Sequence, residues 1–101
     1  MSRVVKFSDI ANEKLQELFE YLTENWSLKV KSNFIKKLDK SIPILQDNPE
    51  IFPLSKNKKS LHKCVITKHT TLYYTFTSND VFVVTLFDTR QDPKKLKKDL
   101  T

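Results

Sequence analysis

The sequence predicts a single α+β domain: an N-terminal strand, then an antiparallel two-helix hairpin packed on one face of a mainly antiparallel sheet, in the order β-α-α-β-β-β with a short C-terminal helix. Three observations predict it. Apolar residues recur at helical spacing from Ile10 to Leu45 with one interruption, three β-rich runs joined by short links follow from Leu61 to Phe87, and 101 residues allow one core. A chain of that length buries roughly two thirds of its unfolded surface, enough for a two-layer fold without metals or disulfides.

Arg3 to Phe7 read as a short β-branched strand. Ser8 then offers an N-cap, with Asp9 in the first turn of a helix. Ile10, Ala11, Leu15, Leu18, Phe19, Leu22 and Trp26 form one apolar stripe, so the first helix spans about Asp9 to Asn25. Ser27 caps a second helix whose stripe is Leu28, Phe34, Leu38, Ile42 and Leu45, and whose other face carries Lys29, Lys31, Lys36, Lys37 and Lys40. So short a connection forces an antiparallel hairpin, with Trp26 expected in its core.

Pro43 lacks the amide hydrogen of a helix interior, which predicts a kink or a fresh turn there. Asn48 and Pro49 end the helix, and 49–60 read as a surface loop. The three strands are expected at Leu61–Thr67, Thr71–Phe76 and Val81–Phe87. In the turn Thr77-Ser78-Asn79-Asp80, Asn79 or Asp80 is expected to take the left-handed conformation. Asp92-Pro93 followed by Lys94 to Leu100 suggests a short basic helix.

The glycine count is zero. That excludes the Walker loop, the dinucleotide-binding turn and the nucleophile elbow, each of which needs backbone to approach a ligand or take positive φ. No cofactor or metal site is expected. The single cysteine, Cys64, has no disulfide partner and is expected reduced in a strand core, consistent with a cytoplasmic setting. The chain holds no apolar run of membrane-spanning length, and its first residues do not read as a secretory signal.

Net charge is +6, and residues 51–101 carry ten Lys or Arg against four acids, whereas residues 1–50 carry eight of each. The excess lies in the second half. Lys56, Lys58, Lys59, Lys63 and Lys68 follow one another without an acid, and either meet an anionic partner or keep the domain soluble. The last strand is apolar on both alternating faces, and one helical layer covers only one. Phe82, Val84 and Leu86 are expected on one side and Val81, Val83 and Phe87 on the other, leaving a face for the C-terminal segment or a partner.

The order of elements, Glu24-Asn25-Trp26-Ser27 between the helices, Asn48-Pro49 after them, Tyr73-Tyr74, and Thr89-Arg90-Gln91-Asp92-Pro93 after the last strand resembles the RelE/ParE superfamily of type II toxins. The likeness covers nearly the whole chain, as one toxin domain over 1–101. It implies a toxin neutralised by a cognate antitoxin protein in a hetero-oligomer. It also implies one of two targets: the ribosome and its mRNA, cut without metal by RelE-like members, or DNA gyrase, which ParE-like members trap on cleaved DNA.

Cutting RNA through its 2′-OH needs a base, cations on the phosphorane and an acid for the leaving oxygen. Arg90 matches the arginine that ribonuclease members carry past the last strand. Their second arginine falls at Thr71 and their C-terminal tyrosine near Leu96, so a cation and an acid or base are missing. His69 beside Lys68 is either a proton shuttle or a plain hairpin-turn residue, and one of Tyr73 and Tyr74 is expected to face outward. These departures favour the ParE-like branch, with a degenerate antitoxin-binding module as a further alternative. In that branch target contacts are expected on Arg90, Lys94, Lys95, Lys63 and Lys68, where the positive charge gathers, and the antitoxin on the uncovered strand face, Phe82, Val84 and Leu86; a ribonuclease would use His69, Lys68 and Arg90. Arg90, read as an exposed residue after a strand, is expected to matter little to the fold.

Overall fold

A computed structural model describes residues 3–56 and 60–90. Strand β1 (Val4–Phe7) leads into helices α1 (Asp9–Asn25) and α2 (Leu28–Asp47), a 3-10 turn at Pro49–Ile51, and strands β2 (His62–Val65), β3 (Thr70–Phe76) and β4 (Asp80–Asp88). The sheet order is β1-β4-β3-β2, with β1 parallel to β4 and the other pairs antiparallel. The α+β architecture is the one the sequence predicts.

Both helices start on serine caps. The Ser8 hydroxyl accepts from the Ala11 amide and the Ser27 hydroxyl from Val30. Ser8 also donates through its hydroxyl to the Val84 carbonyl and through its amide to that of Val83, so the start of α1 is pinned to β4. The helices lay Ala11, Leu18, Leu22, Phe34, Leu38 and Leu45 on the sheet, where they meet Leu72, Tyr74, Val81 and Val83. Truncating one such leucine to alanine costs about 2–5 kcal/mol.

No fresh turn starts at Pro43. The helix runs through it to Asp47, and Pro43 sits on the solvent side, where the hydrogen bond that it cannot donate is least costly. The segment after the helix is more than a surface loop. Pro49 is fully buried, and its carbonyl accepts from the Tyr74 hydroxyl at 2.5 Å, while Leu54 bridges to His62.

The hairpin turns need no left-handed residue: none of the described residues has positive φ. A threonine replaces it each time. Thr77 Oγ1 accepts from the amides of Asn79 and Asp80, and Thr67 Oγ1 from those of His69 and Thr70.

A bulge in β4 overturns the expected alternation. Tyr73 pairs with Thr85 but Tyr74 with Val83, which leaves Val84 as the extra residue and reverses the phase beyond it. Leu86 therefore joins Val81 and Val83 in the helix-side core, while Val84 and Phe87 pack with Leu61 and Tyr73 on the opposite face. Neither tyrosine is exposed. They point to opposite faces as expected, and each is buried on its own side. Cys64 lies in the helix-side core, where burial pushes its thiol pKa up against the lowering effect of a Ser41 contact.

Candidate functional site

A cleft of ≈ 320 Å³ opens between α2 and the far end of the meander. Helix α2 supplies Val30, Asn33, Phe34 and Lys37, which at steps of three, one and three share one helical face; the β2–β3 turn supplies Thr67, Lys68 and His69, and Arg90 closes the end. The floor is apolar and the rim cationic. No carboxylate is among the lining residues.

His69 is held by short-range bonds. Its amide donates to Thr67 Oγ1 at 3.0 Å, its carbonyl accepts from the Thr89 amide at 2.7 Å, and its Nδ1 lies 3.2 Å from Thr89 Oγ1. That geometry serves the turn and leaves the ring partly open to the cleft.

Arg90 is not a free cation. Its Nε donates to Asp88 Oδ1 at 2.7 Å, its Nη2 to Oδ2 at 2.5 Å and its amide to Oδ1 at 2.9 Å, while the Thr70 hydroxyl donates to Oδ2 at 2.6 Å. Asp88 is 0% exposed and the Arg90 side chain 12%. Burial alone would raise the Asp88 pKa, but the Arg90 fork, the Thr70 hydroxyl and the Arg90 amide outweigh it and hold the carboxylate below its usual range. The hydrogen bonds from Arg90 to Asp88 likewise raise the guanidinium's pKa against its partial burial. The other side of the guanidinium lies 5.5 Å from the Trp26 ring centroid. Trp26, expected in the hairpin core, is 53% exposed as the C-cap of α1 and shields this ion pair instead. Arg90 thus ties the end of the sheet to the bend of the helix hairpin, which corrects the reading of it as a residue of little structural consequence.

The structure brings His69, Lys68 and Arg90 into one cleft and leaves Lys63 out of it. Lys63 pairs with Tyr73 in the sheet, and its amide donates to the Pro53 carbonyl. Lys94 and Lys95, Leu96 and the C-terminal helix expected over 94–100 lie outside the described residues. Phe82 stands on the outer face, 37% exposed, with the Lys6 ammonium 5.7 Å from its ring, and Val84 is half-buried. Leu86, at 1% exposure, does not share that face.

Sequence reasoning missed Asp88 and the α2 wall of the cleft. The two-residue spacing of Asp88 and Arg90 was the available signal, since residues two apart at the end of a strand face the same way. Lys31, placed on the outer face of α2, instead lies at the helix seam with its ammonium 5.4 Å from the Phe19 ring.

Among the described residues no three His, Cys, Asp or Glu side chains converge, and no helix is long and apolar enough to cross a membrane. Chemically, the cleft can hold an anion between Lys37 and Lys68 above Val30 and Phe34. Its arginine is already neutralised.

The sequence model for the ParE toxin of the type II toxin-antitoxin system parDE matches residues 5–93. No curated protein matches the chain. Among solved structures, a chain of the chromosomal ParDE toxin-antitoxin system from P. aeruginosa is 6% identical over 86% of this chain and 96% of its own, with a TM-score of 0.71. An E. coli RelE toxin variant in the free state is 13% identical over 99% and 95%, with a TM-score of 0.64. The E. coli DinJ-YafQ toxin-antitoxin complex contains a chain 14% identical over 89% and 96%, with a TM-score of 0.58. At such identities the structural likeness is one of fold. The family match spans most of the sequence, and the chain belongs to the ParE family of type II toxins within the RelE/ParE superfamily.

Proposed function

We propose that this ParE-family toxin poisons by binding: it docks on DNA gyrase, holds it on cleaved DNA, and is neutralised in the cytoplasm by a cognate antitoxin that forms a hetero-oligomer with it. The observation that carries the reading is the Arg90–Asp88 pair. A ribonuclease needs uncompensated cations on the phosphorane and a matched acid and base. Here the guanidinium fork is engaged by a buried carboxylate, and among the described cleft residues His69 has no carboxylate or tyrosine beside it to serve as a second acid or base. Trapping an enzyme needs only a complementary surface, which the cationic rim and the outer-face residues Phe82 and Val84 supply to target and antitoxin respectively.

The convergence of Lys68, His69 and Arg90 favours the ribosome-dependent ribonuclease as the second reading. Purified toxin added to gyrase with supercoiled plasmid, and in parallel to a translating extract with a reporter mRNA, separates the two. Linear plasmid, uncut mRNA and an unchanged outcome for His69→Ala are expected. Defined mRNA cuts that vanish in His69→Ala while supercoiling proceeds normally would overturn the gyrase reading.

A further inference from the structure

The solvent-facing poles of the two helices carry opposite charge in the same spacing. On α1, Glu13, Glu17, Glu20 and Glu24 are exposed at steps of four, three and four. On α2, Lys29, Asn33, Lys36 and Lys40 repeat those steps, all exposed. At about 100° per residue the three lysines fall within about 40° of arc and, at 1.5 Å rise, span about 16 Å. Lys37 stands on the flank toward the cleft, where Lys68 continues the positive surface. No ion pair among the described residues engages any of these five lysines.

We propose that this lysine row on α2 binds the phosphate backbone of duplex DNA, with Lys37 and Lys68 extending the contact toward the cleft. The proposal rests on the gyrase reading for its setting, since it makes the toxin hold the DNA segment as well as the enzyme. Its chemistry rests on the row alone.

Three features choose the occupant. The pole between Lys29 and Lys40 offers Ser32, Asn33 and Lys36 but no apolar anchor, so it lacks the desolvated centre of a protein interface. It also carries no aromatic side chain on which the bases of a single strand could stack, and the nearby Trp26 is covered on one side by Arg90. A straight cationic row of about 16 Å faces about five base pairs of duplex, whose charge density favours lysines through counterion release. Of the helix's own acids, Asp39 lies one turn from Lys36 but round the flank away from the cleft, about 60° off it, and Asp47 almost two turns beyond Lys40. The glutamate row on α1, one helix spacing away, repels the same polyanion and fixes which way the toxin faces it.

Fluorescence anisotropy of the purified toxin on a labelled 20-base-pair duplex of arbitrary sequence tests this. Binding should weaken with salt at a log–log slope of about −4.5 if all five lysines neutralise a phosphate, at about −0.9 per phosphate. K29E/K36E/K40E should lose at least tenfold affinity at low salt and flatten the slope by about 3, with an unchanged circular dichroism spectrum. E13Q/E17Q/E20Q/E24Q, the opposite change on the neighbouring helix, should bind more tightly. Undetectable duplex binding at low salt, an unaffected triple variant, or binding confined to single-stranded RNA or to an acidic protein would overturn the proposal. Gyrase assays on the same proteins keep the two readings apart. Wild-type toxin that binds duplex but leaves gyrase active would sink the gyrase reading and leave the DNA surface standing; a triple variant that loses duplex binding yet traps gyrase undiminished would sink the row's part in trapping and leave the gyrase reading standing.

Discussion

Arg90 and Asp88, two residues apart at the end of β4, close a two-pronged ion pair at 2.7 and 2.5 Å with the carboxylate fully buried. The Thr70 hydroxyl and the Arg90 amide complete the carboxylate's partners. The arginine that the family resemblance singles out for function is therefore also the countercharge of the one fully buried carboxylate among the described residues.

Arg90→Ala should destabilise the fold by about 3 kcal/mol, because it strands a buried charge. Urea denaturation reads this as a lowered midpoint. Arg90→Lys should recover only part of the loss, since an ammonium cannot reproduce the planar fork. The double variant Asp88→Ala/Arg90→Ala should cost clearly less than the sum of the single changes, and strict additivity would show that the two side chains do not depend on each other. Reduced toxicity of Arg90→Ala taken alone would then report folding, so Lys68→Ala and Lys37→Ala are the cleaner probes of the cleft.

Asp88 also sets an acid limit. Its pKa is lower in the folded chain than the ~3.9 of an unfolded aspartate, so between those values the unfolded state binds the extra proton. The stabilisation is complete above about pH 4 and is lost as pH falls through the folded value. Urea midpoints should fall steeply below pH 4 in the wild type and more gently in Asp88→Asn, which starts lower at pH 7. Parallel acid profiles for the two proteins would remove Asp88 as the cause.

The turn between β3 and β4 offers a sharper test. Thr77→Ala removes the acceptor for two amides and should cost about 1 kcal/mol. Asn79→Gly should also destabilise, by about 0.5–1 kcal/mol, since it adds freedom to the unfolded chain at a position with no positive φ to relieve. A stabilising Asn79→Gly would mean that the turn adopts the left-handed conformation after all.

What could be read from the sequence was local. The serine caps, the helical stripes and the meander depend on neighbours within a few residues, and their bounds differ from expectation by a residue or two at most strand ends. Leu86 could not be placed, because a bulge depends on how β4 registers against β3 and on the Ser8 bond to the Val84 carbonyl, 76 residues apart in sequence. Trp26 was misplaced for a similar reason. Its partner Arg90 lies at the other end of the described chain, and no spacing rule links a helix cap to a strand end. The candidate cleft was legible in Lys68, His69 and Arg90 but not in its α2 wall, which appears only once the helix is docked.

The bulge makes a last prediction about the face proposed for the antitoxin. Before Val84, alternation sends Phe82 outward; after it, the shifted phase turns Leu86 inward against the helices. Phe82→Ala should lower the urea midpoint clearly less than a core truncation does, since the ring is 37% exposed, while weakening co-purification with the cognate antitoxin. Leu86→Ala should do the reverse, costing about 2–5 kcal/mol through a core cavity while the chain that remains folded still binds. A native midpoint with lost antitoxin binding in Leu86→Ala would put Leu86 on the outer face and remove the bulge, whereas unchanged binding in Phe82→Ala would move the antitoxin to another surface.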